Sequence, residues 1–268
     1  SGTGALSIIT SGAVEGKSGS GISARNSANG TYLTIEASDS VAGYEYGIYA
    51  DNYGTGALSI TTSGAVEGKS EAGISAFNSA NGTSLTIEAS DSVTGDKYGI
   101  RAFNEGAGAL SITTEGAVTG VEEDGRAIGI SATNSANGTS LTIEALASVT
   151  GDKYGIRAVK QGAGALSITT DSVTSYGDGI SAFNEGAGAL SIITSGAVEG
   201  KSFIGIGAFN SENGTSLTIE ASDSVTGGDT GIAANNNGTG ALSITTEGAV
   251  TSEYGIGIAA DNNGTGAL

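Results

Sequence analysis

The 268-residue chain contains no cysteine, histidine, proline, methionine or tryptophan. Without cysteine there is no disulfide framework and no thiolate nucleophile, and without histidine as well the usual ligand sets for zinc and other transition metals are missing. Histidine is equally excluded as a general acid or base. Aromatic residues make up only 5% of the chain, so a core must be built from small aliphatic side chains. Bases are scarce too: 10 against 28 acidic residues give a formal charge of −18, which repels a phosphate backbone and anionic headgroups alike. Nucleic acid is therefore not an expected partner. No apolar run approaches the length of a membrane span, so direct membrane insertion of this segment is not expected either. The first residues show neither the basic nor the apolar region of a signal peptide, and an exported protein would be represented here by a mature segment.

Glycine, by contrast, is abundant at 47 residues, without the Gly-X-Y period of collagen. The hydrophobic 38% recurs at regular intervals, which argues against disorder. A leucine opening an L-[ST]-I run stands at Leu6, Leu33, Leu58, Leu85, Leu110, Leu141, Leu166, Leu190, Leu217 and Leu242, mostly 25 to 27 residues apart, and Leu268 begins another. A valine follows in each unit, from Val14 to Val250, and then a Gly-Ile pair, from Ile22 to Ile258. Within these short runs the alternation has period two: Leu58 and Ile60 share one face, Ser59 and Thr61 the other. That is a strand pattern, and no unit holds the longer 3.6-residue periodicity of a helix.

Three short strands per unit cannot each bury an apolar face alone, but they can if equivalent strands of successive units pair in parallel. The sequence thus predicts an all-β fold, a right-handed parallel β-helix (β-solenoid) with three strands per coil and about ten coils, forming a single domain over residues 1–268. Two unit types alternate, one reading ALSITT-x-GAV and the other NGT-x-LTIEASDSV. The register breaks twice. Leu110 and Leu141 are 31 residues apart, with an insertion near residues 121–126 expected as a bulging turn, and Leu166 and Leu190 are 24 apart. The chain opens on GTGAL and closes on GTGAL, which predicts uncapped parallel strands at both ends.

Four residues after each Gly-Ile isoleucine stands an asparagine: Asn26, Asn52, Asn78, Asn104, Asn134, Asn184, Asn210, Asn236 and Asn262. Such a column suits a structural ladder in which each amide donates to one neighbour and accepts from the other. Lys160 replaces asparagine once and is expected to interrupt the ladder and weaken its coil. Glu36, Glu88, Glu144 and Glu220 recur on the outward side of the second unit type and read as a solvated face rather than as calcium ligands with Asp39, Asp91 or Asp223. Asn-Gly-Thr triplets at Asn29, Asn81, Asn137, Asn213, Asn237 and Asn263 match the glycosylation acceptor pattern, although their recurrence within the repeat fits turn chemistry. Phe77, Phe103, Phe183 and Phe209 fall on the solvent side as two pairs in adjacent coils, with Arg101 beside the first, and are candidate partner contacts.

No catalytic residue, metal ligand or cofactor site emerges. A glycosidase needs paired carboxylates with separated proton affinities, whereas the carboxylates here follow the repeat, apart from the consecutive run Glu122, Glu123 and Asp124. An ice-binding face would need a regular threonine array, which Glu88 interrupts beside Thr61. The units GTGALSITTSGAVEG (residues 54–68) and GDKYGIRAFNEGAGALSITTEGAVTG (residues 95–120) resemble the repeats of bacterial autotransporter passenger domains of the large surface-adhesin type, a likeness that runs along essentially the whole chain. The resemblance implies a non-enzymatic rod on the extracellular or outer-membrane surface of a Gram-negative bacterium, acting as an adhesive or structural stalk. Its partners would be a host or cell-surface ligand, or other copies of itself. The signal peptide and C-terminal β-barrel of that family are not among these residues. The alternative expectation is the subunit of an extracellular filament built by end-to-end stacking.

Overall fold

The computed structural model describes residues 2–266, whose regular structure is entirely β, in 30 strands. Among these residues no helix is long and apolar enough to cross a membrane. The strands form three ten-stranded sheets. The first collects the L-x-I strands, such as Leu58–Thr62 and Leu85–Ala89. The second collects three-residue strands such as Val66–Gly68, and the third the Gly-Ile strands such as Ala72–Asn78. Each strand pairs in parallel with its equivalents one coil before and one coil after: Leu58 lies opposite Leu85, Val66 opposite Val93, and Ile74 opposite Ile100. The chain is a β-solenoid of ten coils with three strands per coil, about 48 Å long at the usual spacing between paired strands. Leu268, expected to open an eleventh coil, lies outside the described residues.

The period-two alternation decides what faces inward. Leu58, Ile60, Val66, Ile74 and Ala76 are buried, as are their counterparts in the inner coils, and together they make one continuous aliphatic core, against which the partly buried Leu6, Ile8, Val14, Ile244 and Val250 of the end coils pack. At the end of the second-sheet strands the inward position must be almost empty. A Cβ on Gly43 would sit 1.8 Å from the carbonyl oxygen of Tyr46, so a side chain is excluded while the turn keeps its path. Ser175 takes this position in the short coil. Its Oγ accepts from the Gly177 N–H and donates to the Asp152 carbonyl, each at 3.0 Å, so the turn there is rebuilt around a hydroxyl.

The inward column at the end of the first sheet alternates threonine and alanine: Thr62, Ala89, Thr114, Ala145 and Thr170 face one another in succession. Thr194 follows Thr170 directly, which marks the skipped unit. The hydroxyls of Thr62, Thr114, Thr170 and Thr194 are buried without a hydrogen-bond partner among the described residues.

Residues 121–126 form an exposed turn between the strands Val118–Gly120 and Ile128–Asn134. Gly125 closes it at φ 72° with its N–H donating to the Glu122 carbonyl, and the Glu122 N–H donates to Asp152 Oδ2 at 2.7 Å. Pairing is undisturbed on either side, with Val118 opposite Val149 and Ile130 opposite Ile156.

Candidate binding face

The asparagine column runs along the interior of the turn that leaves the third sheet. From Asn52 to Asn236 every asparagine of the column is fully buried. Each Nδ2 donates to the Oδ1 of the next coil, from Asn26 through Asn52, Asn78 and Asn104 to Asn134, at 2.8 to 2.9 Å. Each also donates to a carbonyl of its own turn, as Asn78 does to Thr83 and Ser84. The donors all point the same way along the rod. Lys160 breaks this series on one side only. Asn134, with no acceptor in the next coil, donates instead to the Ser140 carbonyl at 2.8 Å. The fully buried Lys160 ammonium reaches forward to Asn184 Oδ1 at 2.9 Å and to the carbonyls of Gly162 and Ala187, both at 2.6 Å. The ladder then resumes from Asn184 to Asn210, Asn236 and Asn262. Removal from water pushes the Lys160 amine down to about 8.

The three outer faces differ in charge. The first-sheet strands carry Glu36, Glu88, Glu144 and Glu220 and no base, and the second-sheet strands carry Glu15, Glu67 and Glu199 and no base. The third-sheet strands, leaving aside the inward Lys160, set Arg25, Arg101 and Arg157 against Asp51, Asp178 and Asp261. The strands of this balanced face also carry seven of the chain's fourteen aromatic residues, and the strands of the other two sheets carry none. One column runs continuously over four coils. The Arg25 guanidinium lies 4.8 Å from the Tyr53 ring centre, Tyr53 is 5.7 Å from Phe77, and Phe77 stacks on Phe103 at 5.9 Å with the rings 8° from parallel. Beside it, Tyr49 Oη donates to Asp51 Oδ2 at 2.8 Å. That hydrogen bond, with burial added, pushes the Tyr49 phenol up to about 12. Arg101 packs 5.4 Å from the Tyr98 ring centre. The rings and Arg101 wall an open groove of about 400 Å³ whose floor is Ser75 and Ala76.

Phe183 and Phe209, 6.3 Å apart, line a second groove of about 350 Å³ further along the same face. Its floor is formed by Gly207, Ala233 and Ala259, and Asp178 and Asp261 also line it. Burial raises the Asp178 carboxyl, against the opposing effects of the Ile204 N–H and Lys153. All four phenylalanines singled out in the sequence therefore line grooves on one face, as two separate pairs. Sequence reasoning missed Tyr53, Arg25, Tyr49 and Asp51. Asp51 shares the register of Phe77, and Tyr53 stands one residue past its strand, so aligning every coil rather than following phenylalanine alone would have found them.

Three aspartates elsewhere serve turns. Asp39, Asp91 and Asp223 each accept from the next residue's backbone N–H at 2.6 to 2.7 Å. Among the described residues no group of three carboxylates is arranged to hold a metal ion. The Asn-Gly-Thr glycines of Gly30, Gly82, Gly138 and Gly214 donate back to Ser27, Ser79, Ser135 and Ser211, closing tight turns. Comparison with protein-family models, curated proteins and solved structures returned no match.

Proposed function

We propose that the chain is a non-catalytic adhesive stalk, similar to an autotransporter passenger and displayed on the extracellular or outer-membrane surface of a Gram-negative bacterium. The observation that carries this reading is the concentration of aromatic side chains on one outer face of an otherwise acidic rod. A rod whose only task was to hold distance has no need of half-exposed rings lined up in adjacent coils, whereas solvent-accessible aromatic patches are the usual mark of a contact surface. The stiffness of stacked coils lets one face act along its whole length.

The test is adhesion of beads coated with the purified chain to bacterial and epithelial cell layers. Phe77→Thr with Phe103→Thr is expected to lower bead retention severalfold, while Glu36→Gln with Glu88→Gln on the first sheet leaves it unchanged. Equal retention by all three proteins would remove the adhesive assignment.

The uniform direction of the asparagine ladder favours a second reading, a filament, because a further copy stacked head to tail would continue the ladder in the same sense. Fibres that persist on dilution, seen by electron microscopy, would support it, and lone rods would oppose it.

A further inference from the structure

Resting on the adhesive reading, we infer that the third-sheet face binds an extended neutral glycan laid along the rod axis, its sugar rings stacked on Tyr53, Phe77 and Phe103 in one groove and on Phe183 and Phe209 in the other. Three features select this partner. The first is that most charges of this face already have partners within the chain, Asp178 among them through the Ile204 N–H. Arg25 sits over Tyr53, Arg101 over Tyr98 and Arg157 over Tyr154, and Asp51 holds the Tyr49 hydroxyl. What remains for a ligand is the half-exposed ring surface that these contacts leave open, bordered by fixed polar groups, which suits an uncharged polyhydroxylated chain. The negative ring faces attract the polarised C–H face of a sugar, while Arg101, Ser75 and Asp51 can exchange hydrogen bonds with its hydroxyls.

The second feature is the net charge. At −18 the molecule repels polyanions at long range, and the three guanidiniums of this face are balanced by three carboxylates. The third is shape. Both grooves are open and shallow rather than enclosed, and they lie in line on one face, with Phe103 and Phe183 three coils apart, about 14 Å. A polymer can cross both, and a small molecule cannot.

Affinity electrophoresis through gels containing hydroxyethyl cellulose, dextran or galactomannan tests the assignment, with carboxymethyl cellulose as the anionic comparison. The wild-type chain is expected to be retarded by at least one of the neutral polymers and not by the anionic one. Phe77→Thr, Phe103→Thr and Phe183→Thr should each weaken retardation about tenfold. Threonine is chosen because Thr133 already occupies this register beside Phe103, so the coil accepts it; unchanged circular dichroism confirms the fold. Oligosaccharides too short to span both grooves should bind at least tenfold more weakly than the polymer.

Four results would overturn the assignment: no retardation by any neutral polymer, stronger retardation by carboxymethyl cellulose, retardation unaffected by the phenylalanine variants, or self-association in the ultracentrifuge that those variants abolish. The last would make a second copy the occupant. The bead assay separates the two levels, because cell adhesion lost in Phe77→Thr without any polysaccharide binding leaves the adhesive reading standing and removes the glycan.

Discussion

Lys160 is the place where the energetics of this solenoid can be tested most directly. Its amine has an ordinary value of 10.5 and stands at about 8 in the folded chain, because burial penalises the charged form. A base depressed in this way leaves the unfolded chain holding more protons than the folded one between pH 8 and 10.5. Stability therefore rises with pH across that window, and the full penalty applies below it. At about 1.4 kcal/mol per unit the penalty is roughly 3 kcal/mol. Tyr49 acts in the opposite sense. Its raised phenol value gives stability that is complete below pH 10 and is lost as the pH climbs toward 12, so the interval from 8 to 10 isolates the lysine.

The perturbation is Lys160→Asn, which removes the charge and supplies an amide between Asn134 and Asn184, the residues paired with position 160 on either side. At pH 7 the variant should be more stable by about 2 to 4 kcal/mol, from relief of the buried charge together with the recovered ladder bonds. Urea denaturation followed by far-ultraviolet circular dichroism measures this. Hydrogen exchange at Gln161 and Glu185, whose N–H groups donate to the carbonyls of Asn134 and Lys160, gives a local reading. Wild type should gain most of its 3 kcal/mol (roughly) between pH 8 and 10, and the variant should be flat there. A variant weaker than wild type at pH 7, or one that keeps the rise, would show that the three hydrogen bonds of the ammonium outweigh its burial and would refute the argument.

Thr62→Val and Thr114→Val should each raise stability by about 1 kcal/mol, since each removes a buried hydroxyl that has no partner; a loss of stability in urea melts would mean that an ordered water satisfies it. Asn78→Ala should cost about 2 to 4 kcal/mol, because Asn52 loses its acceptor and the turn carbonyls of Thr83 and Ser84 lose their donor, with fastest hydrogen exchange expected in that turn. Gly43→Ala should prevent stable folding of its coil, read as loss of cooperative melting, because the added Cβ would collide with the Tyr46 carbonyl. Tyr49→Phe should remove the highest phenol titration from an ultraviolet absorbance curve and destabilise the chain by about 1 to 3 kcal/mol, since the nearly buried Asp51 loses its hydroxyl donor.

The coil and its register were legible because Leu, Val and Ile recur at fixed offsets and a one-residue slip would turn each of them outward. The pairing of Leu58 with Leu85 and of Ile74 with Ile100 follows from that pattern alone. Lys160 was less legible. Its replacement of asparagine shows as an irregularity, but nothing in the letters says that its longer stem carries the ammonium to Asn184 and to the Ala187 carbonyl of the next turn. The binding face was half visible. Four phenylalanines mark it, while Arg25 and Tyr53 join it only because consecutive coils bring residues 28 positions apart within ring contact. The inward place of Thr62 follows from the same alternation as Leu58 and Ile60, but nothing in the letters says that its hydroxyl finds no partner there.

Both irregular units, the long one at residues 121–126 and the short one before Leu190, leave the core register intact: Val118 still faces Val149, Ile130 faces Ile156 and Leu166 faces Leu190, with one irregularity between Gly188 and Leu190. Length is thus decoupled from folding. Unequal recombination within so repetitive a gene can lengthen or shorten the reach of the molecule by whole coils without designing a new interior, and natural selection can set that reach much as a carpenter trims a batten.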